Sequence, residues 1–340
     1  MPNSKYGIMI ILLLTTAGIQ AQQVPLPKSP PETVTNTTPS KKTVEKKPIE
    51  TITIQYNDDW GDDFHNTITN SVYQSAVWFD SFFSLDLNEQ KHPKTSAKIR
   101  LGWLPKRNDY SVFETNFRIK VSLPNLKDRA DIILSDDSDD ELANLPLETL
   151  NRTQNFSQDT FSAALRYVNN REYNKFTDTR LGISSGDIFM RYRHRRLFSW
   201  HNTHGVKIEP AVFYYLQDGL GARLLLEYNY QATSNNQFRV NYSIRASESY
   251  EGEKWKYGLY HLQQLDNKRA ALIGLVTKGR HASAEGSFTQ QYKLSYRYRF
   301  NALSSWLFFE VEPFFEWDKE DDFATSPGIA LRVEGFFEKI

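Results

Sequence analysis

Cysteine is absent from the 340 residues. That excludes disulfides, thiolate metal sites, a cysteine nucleophile and a lipid-anchor cysteine. Excess charge of either sign is absent too: 41 basic side chains balance 41 acidic ones, so neither a general polyanion-binding surface nor a nucleic-acid partner is expected. Long apolar runs are also missing. The longest is Ile8 to Leu14, far short of the roughly 20 residues that a membrane-spanning helix needs. What the chain has in quantity is aromatic: 22 Phe, 18 Tyr and 7 Trp, although only 39% of its residues are hydrophobic. A polar average with many aromatics fits a soluble all-β protein or an outer-membrane barrel.

The first residues have the pattern of a secretory signal. Lys5 precedes the apolar run, and small residues follow through Thr15, Thr16, Ala17 and Gly18 to Ala21. Residues 1–21 are therefore expected to be a signal peptide, with cleavage after Ala21. Residues 22–59 hold six of the fourteen prolines, with Thr, Ser and Lys filling most of the rest. So little apolar surface cannot offset the entropy of ordering, and a disordered periplasmic linker is expected.

Between 60 and 86 the period changes. Phe64, Ile68, Val72, Ala76, Phe79 and Phe83 recur every three or four residues, with Val77, Trp78 and Phe82 alongside. This spacing predicts an amphipathic helix, which must bury its stripe on the barrel mouth, the membrane surface or a partner. The opposite face carries His65, Asn66, Thr69, Asn70 and Gln74. It is polar but barely charged, so docking at the periplasmic mouth, narrowing it, is the expectation.

From 95 to 338 the period is two. Phe113, Thr115, Phe117, Ile119, Val121 and Leu123 alternate with Glu114, Asn116, Arg118, Lys120 and Ser122. Similar sets run over 222–230, 238–245 and 292–300, and shorter ones make fourteen candidate strands. Three features favour a membrane barrel over a soluble sandwich. Many runs exceed the usual soluble strand length. Trp103, Trp255, Trp306 and Trp317 fall near strand ends, as interfacial girdles require. One face of each run is densely charged, as a wet interior allows. The expected fold is all-β: a transmembrane antiparallel up-and-down β-barrel of about 12–14 strands, with the N-terminal amphipathic helix. Pro210 and Pro313 fall inside apolar faces, where they are expected to mark bulges or strand ends.

Gln217-Asp218-Gly219, Leu265-Asp266-Asn267-Lys268 and Ser184-Ser185-Gly186 read as tight turns. Asp136–Asp159 is a long acidic connection, expected to be a solvated loop outside the cell, and Asp318–Pro327 a second one. Either could hold divalent cations that bridge lipopolysaccharide, the solvated reading being favoured. Phe337 resembles the terminal aromatic of barrel assembly signals, although Glu338, Lys339 and Ile340 follow it.

DGLGARLLLEYNY (218–230), WLFFEVEPFFEWDKEDDFATSPGIALRVEGFF (306–337), LPNLKDRADIILSDD (123–137) and DIFMRYRHRRLFSW (187–200) resemble an uncharacterised family of Gram-negative outer-membrane barrel proteins. The resemblance implies an outer-membrane location and no particular activity.

No catalytic, cofactor-binding or metal-ligating residue is assigned, and no cofactor is expected. His201 and His204 are the only close histidine pair, and three-residue spacing suits a helix better than a turn. His281 and Ser283 have the spacing of neighbours on one strand face, but Gly279 beside them points to a loop. The charged rows are more informative. Arg191, Arg193 and Arg195 form one, Arg297 and Arg299 another, and Glu310, Glu312 and Glu316 a third. Arg223, Arg239, Arg245 and Arg332 share the same phase, and all twelve are lumen-lining candidates. If consecutive strands pair, Arg297 and Arg299 meet Glu310 and Glu312 across a hairpin, either as ion pairs filling the lumen or as a transverse field in a pore. The expected function is a passive channel or solute-binding barrel. The alternatives are an outer-membrane lipid hydrolase and a closed structural barrel. Expected partners are outer-membrane lipid and lipopolysaccharide, the outer-membrane assembly machinery and small solutes.

Overall fold

The computed structural model describes Trp78, Phe79, Phe82 and Phe83, then residues 95–339 apart from 108–109, 124–128, 137–143, 149–160, 173, 202 and 283–285. The expected signal peptide, the linker and most of the expected helix lie outside the described residues.

Fourteen strands form the fold: β1 (Thr95–Trp103), β2 (Phe113–Ser122), β3 (Ala130–Ser135), β4 (Ser162–Glu172), β5 (Lys175–Ser184), β6 (Asp187–Trp200), β7 (His204–Tyr215), β8 (Gly219–Thr233), β9 (Asn236–Ser247), β10 (Tyr250–Asp266), β11 (Arg269–Ala282), β12 (Gly286–Asn301), β13 (Leu307–Asp318) and β14 (Thr325–Lys339). Each pairs antiparallel with its sequence neighbours, and β14 closes on β1, Thr95 opposite Lys339. Closure leaves no free sheet edge. The even strand count puts the start of β1 and the end of β14 at one end of the barrel, called here the near end. The connections 104–112 and 136–161 belong to the opposite, far end. The three predicted tight turns lie where the hairpins β5–β6, β7–β8 and β10–β11 reverse.

The alternation sorts side chains by face. Ile99, Leu101, Leu181, Ile183, Met190, Val212, Leu259, Ile273 and Leu331 are exposed on the outside. The residues between them point inward and are largely charged and buried. This polarity is the inverse of a soluble protein's and is what lipid outside and polar groups inside require. Trp103, Trp255 and Trp317 sit towards the far end, Trp200 and Trp306 at the near end. Trp306 packs on Phe337, with ring centroids 5.1 Å apart, and Phe315 stacks on Trp317.

The prolines correct one expectation. Pro210 and Pro313 lie mid-strand, facing outward, and neither marks a bulge or a strand end. Pro210 keeps its place opposite Leu224 of β8, and Pro313 opposite Ile329 of β14. On their other side the ladder lapses: β6–β7 pairing stops at Arg193–Ala211 and resumes at Arg196–Ile208, and β12–β13 pairing stops at Ser295–Phe314 and resumes at Tyr298–Val311. The register is unchanged across each gap. A missing N–H removes hydrogen bonds towards one neighbour only, so the strand tolerates the proline without inserting a residue.

Glycines make room for inward-facing rings. A Cβ on Gly221 would come within 2.3 Å of Phe213, and one on Gly328 within 2.3 Å of Phe314. Phe314 forms a small apolar cluster with Leu104, Val112 and Ala330, which ties the 104–112 connection to the inner wall at the far end.

Candidate functional site

The site is the interior, and it has two charged walls. On β12 to β14 the alternation buries four cations, Lys293, Arg297, Arg299 and Arg332, among four carboxylates, Glu310, Glu312, Glu316 and Glu334. Antiparallel register puts Arg299 directly opposite Glu310, and Glu310 opposite Arg332. Arg332 donates to Glu114 at 2.9 Å, to Glu310 at 2.8 Å and to Glu312. Arg299 lies 3.4 Å from both Glu310 and Glu334. Arg297 lies 3.7 Å from Glu310. Arg100 of β1 donates to Glu334 at 2.7 Å. Glu316 accepts from Lys106 at 2.8 Å. Such charges leave water only when paired and hydrogen-bonded.

The second wall, β5 to β9, is the more basic one among the described residues. Among the described residues it buries six cations, Arg180, Arg191, Arg193, Lys207, Arg223 and Arg239, against three carboxylates, Asp178, Glu209 and Glu227. Asp178 is shared by Arg193 at 2.8 Å and Arg180 at 3.1 Å. Glu209 accepts from Arg195 at 2.7 Å and lies 3.6 Å from Arg223. Glu227 serves Lys207 at 3.0 Å and lies 3.9 Å from Arg239. Arg195 and Arg245 are half-buried additions to the same wall, the latter with its guanidinium 4.7 Å from the centre of the Phe213 ring.

The twelve sequence-selected residues thus fall into two groups. Arg297, Arg299, Glu310, Glu312, Glu316 and Arg332 come together on the balanced wall. Arg191, Arg193, Arg195, Arg223, Arg239 and Arg245 lie on the basic wall. Sequence reasoning missed Arg100, Glu114, Asp178, Arg180, Lys207, Glu209, Glu227, Lys293 and Glu334. Glu227, Lys293 and Glu334 share a strand and a phase with chosen residues, so counting every second residue would have found them; the other six lie on strands from which no residue was chosen.

Two further segments occupy the interior. The first carries Trp78 and Phe79, which are helical, with Phe82 and Phe83. Phe79, Phe82 and Phe83 are buried in one cluster with Tyr260, Leu262, Ala270 and Leu272 of β10 and β11. Phe82 meets Phe308 edge-on at 5.7 Å, and the Arg299 guanidinium lies over Phe308 at 4.7 Å. These strand positions lie towards the near end. In the sequence their apolar inward face is Tyr260 and Leu262 on β10 and Ala270 and Leu272 on β11.

The second segment corrects the expectation of a solvated loop. Within the 136–161 connection, residues 144–148 turn inward, burying Leu145 and Leu147. Arg223 donates to the Asn144 carbonyl at 2.9 Å, Arg297 to the Leu147 carbonyl at 2.9 Å, and Lys256 to both oxygens of Glu148 at 2.9 and 2.7 Å. Leu147 joins the same cluster as Phe79 and Phe83. The two segments meet inside the barrel. At the other acidic connection, Lys319–Asp321 form a single short turn and β14 begins at Thr325.

The histidines are spread out. His204 stacks on Trp200 and shares a 2.7 Å hydrogen bond with the Tyr228 hydroxyl, while His201 occupies the turn with φ of 53°. His194 bonds the Thr177 hydroxyl at 2.8 Å. His261 stacks on Phe238 on the outer surface. Among the described residues no group of His, Asp and Glu could hold a metal ion. His281 lies on β11, opposite Glu253 of β10 and Ser287 of β12, while Ser283 lies outside the described residues.

No protein-family model and no curated protein sequence matches the chain. Solved structures do. A loop-deletion mutant of OmpT, an outer membrane protein of Vibrio cholerae, is 7% identical, with 72% of this chain and 98% of that one covered and a TM-score of 0.48. The outer membrane channel DcaP of Acinetobacter baumannii is 6% identical over 72% and 96%, with a TM-score of 0.44. The KdgM porin, in complex with disordered oligogalacturonate, is 6% identical over 71% and 98%, with a TM-score of 0.37.

Proposed function

We propose that the chain is an integral outer-membrane β-barrel that works as a passive channel or solute-binding barrel with a charged interior, closed in this conformation. The supporting observation is the inverted polarity: a closed wall with an apolar exterior between aromatic rims, enclosing buried charge. Short turns at the near end and the longest connection at the far end match periplasmic and external sides respectively. Phe79, Phe82, Phe83 and Leu147 narrow the passage. Outer-membrane lipid and lipopolysaccharide then contact the outer face, the assembly machinery inserts it, and small solutes are what the interior handles.

The test is fractionation followed by reconstitution. The reading requires that the chain needs detergent for release from outer membranes and gives stepwise conductance in planar bilayers. Release without detergent overturns the membrane barrel, and persistent silence of a folded sample overturns the channel.

One observation favours a second reading, a lipid hydrolase. Glu253, His281 and Ser287 form a cross-strand row on the outward face near the far end. Directly opposed strand residues have Cβ atoms about 5 Å apart, a spacing from which a serine–histidine–carboxylate relay can close. Among the described residues no hydrogen bond joins them. Labelling by a fluorophosphonate that is lost in Ser287→Ala supports this reading, and equal labelling of both excludes it.

A further inference from the structure

Three cations from alternate strands converge on one short stretch of chain. Arg223 of β8 donates to the Asn144 carbonyl at 2.9 Å, and Arg297 of β12 to the Leu147 carbonyl at 2.9 Å. Between them, Lys256 of β10 donates to both oxygens of the Glu148 carboxylate, at 2.9 and 2.7 Å, and to the Asn144 side-chain oxygen at 3.1 Å. Leu147 fills an apolar seat with Leu262 and Leu272. The stretch is a preformed turn: the Glu148 N–H donates to the Leu145 carbonyl at 3.0 Å, with Pro146 in the second place. One group beside it is left over. The Tyr260 hydroxyl is buried and has no hydrogen-bond partner among the described residues. Its ring lies over Gly258, where a Cβ would come within 2.7 Å of the hydroxyl, so the oxygen points along β10 towards Lys256. A buried hydroxyl without a partner costs stability, and the anchoring of residues 144–148 makes no use of it.

We propose that Arg223, Lys256, Arg297 and Tyr260 form a binding site for short acidic peptides, and that residues 144–148 are a tethered mimic that occupies it. The contacts go to groups that such a peptide carries: two main-chain carbonyls, one carboxylate and one leucine side chain. Guanidinium and ammonium donors suit oxygen acceptors of both kinds. A strut that only narrows the barrel needs none of this variety, because apolar packing would hold it without taking cations out of water. The Tyr260 hydroxyl adds a fourth donor, free for a ligand seated deeper than the tether. The inference rests on the channel reading for the solute's path, but not for its binding chemistry.

The full chain, folded in detergent, is titrated calorimetrically with the pentapeptide Asn-Leu-Pro-Leu-Glu, capped at both ends, and with the analogue that ends in Gln. A tether that fills the site lowers the apparent affinity of a free ligand by the fraction of time the site is open. Glu148→Gln weakens the tether and leaves the site intact. The acidic peptide should therefore bind this variant about fivefold tighter than the wild type, the size of one partly exposed charge-assisted contact. The variant should prefer the acidic peptide over the Gln analogue by a similar factor, and adding Lys256→Met should abolish that preference. A folded Glu148→Gln barrel that binds the acidic peptide no tighter than the wild type does, or that does not distinguish the two peptides, overturns the proposal. If Glu148→Gln does not fold, the wild type decides. Displacing the tether should speed hydrogen exchange at residues 144–148, more with the acidic peptide than with the analogue. An unchanged rate at the solubility limit of the acidic peptide overturns the proposal. Conductance of the wild type in planar bilayers separates the two readings: binding without conductance keeps the site and removes the channel, and conductance without binding does the reverse.

Discussion

Lys256 latches the inward segment through Glu148: its ammonium donates to both carboxylate oxygens, at 2.9 and 2.7 Å, from the wall of β10. Lys256→Met removes the latch and keeps the stem's packing. A charge-assisted pair with this partial exposure contributes about 1 kcal/mol, so the released state of residues 144–148 should rise about fivefold. Limited proteolysis of the folded barrel measures it. An unchanged cleavage rate would mean that the carbonyl contacts from Arg223 and Arg297 hold the segment alone.

The aromatic segment gives a second expectation. Phe79→Ser with Phe83→Ser puts hydroxyls against Leu262 and Leu272 and should free the near half of the interior. Single-channel conductance should increase, as it should when residues 60–86 are deleted, with the barrel still heat-modifiable on a gel. Unchanged conductance in a folded variant rules out a gate there. Failure of the deletion to fold makes the segment part of the structural core.

Arg332 tests the balanced wall. Arg332→Met removes the donor shared by Glu114, Glu310 and Glu312, all of them buried. Removing one partner from a buried network costs about 3–5 kcal/mol, visible as a lower urea midpoint for unfolding from detergent or lipid. Arg332→Lys keeps the charge but loses the fork, and should fall between the two.

The outer face tests the lipid environment. Ile273→Arg, mid-strand on β11, should cost about 2–4 kcal/mol in a bilayer, the range for a charge at the midplane. Leu303→Arg, in the near-end turn and almost fully exposed, should be nearly neutral. Equal effects at the two positions would place both in water.

The strand ladder was legible because each strand is amphipathic with a period of two. An apolar outside and a charged inside make that period sharp on β12, where Tyr292, Leu294, Tyr296 and Tyr298 alternate with Lys293, Ser295 and Arg297. The cross-hairpin approach of Arg299 to Glu310 followed from pairing alone. What could not be read was the filling of the interior. Leu145 and Leu147 lie in an acidic connection whose average polarity hides them, and their burial depends on Arg223, Lys256 and Arg297, which are distant in sequence. The register that sets Arg180 of β5 opposite Arg191 of β6 was equally hidden. Arg180 falls on a weak run, and opposition to Arg191 needs a register that no single strand contains.

The lapses beside Pro210 and Pro313 have a mechanical consequence. They lie between β6 and β7 and between β12 and β13, six strands apart around a ring of fourteen and so nearly across a diameter. Each gap is two residue pairs long, with paired residues on both sides of it. With fewer ladder hydrogen bonds to oppose it, bending between strands should begin at these two gaps, which bound the arc from β7 to β12 that carries Lys256 and the apolar seat of the aromatic segment.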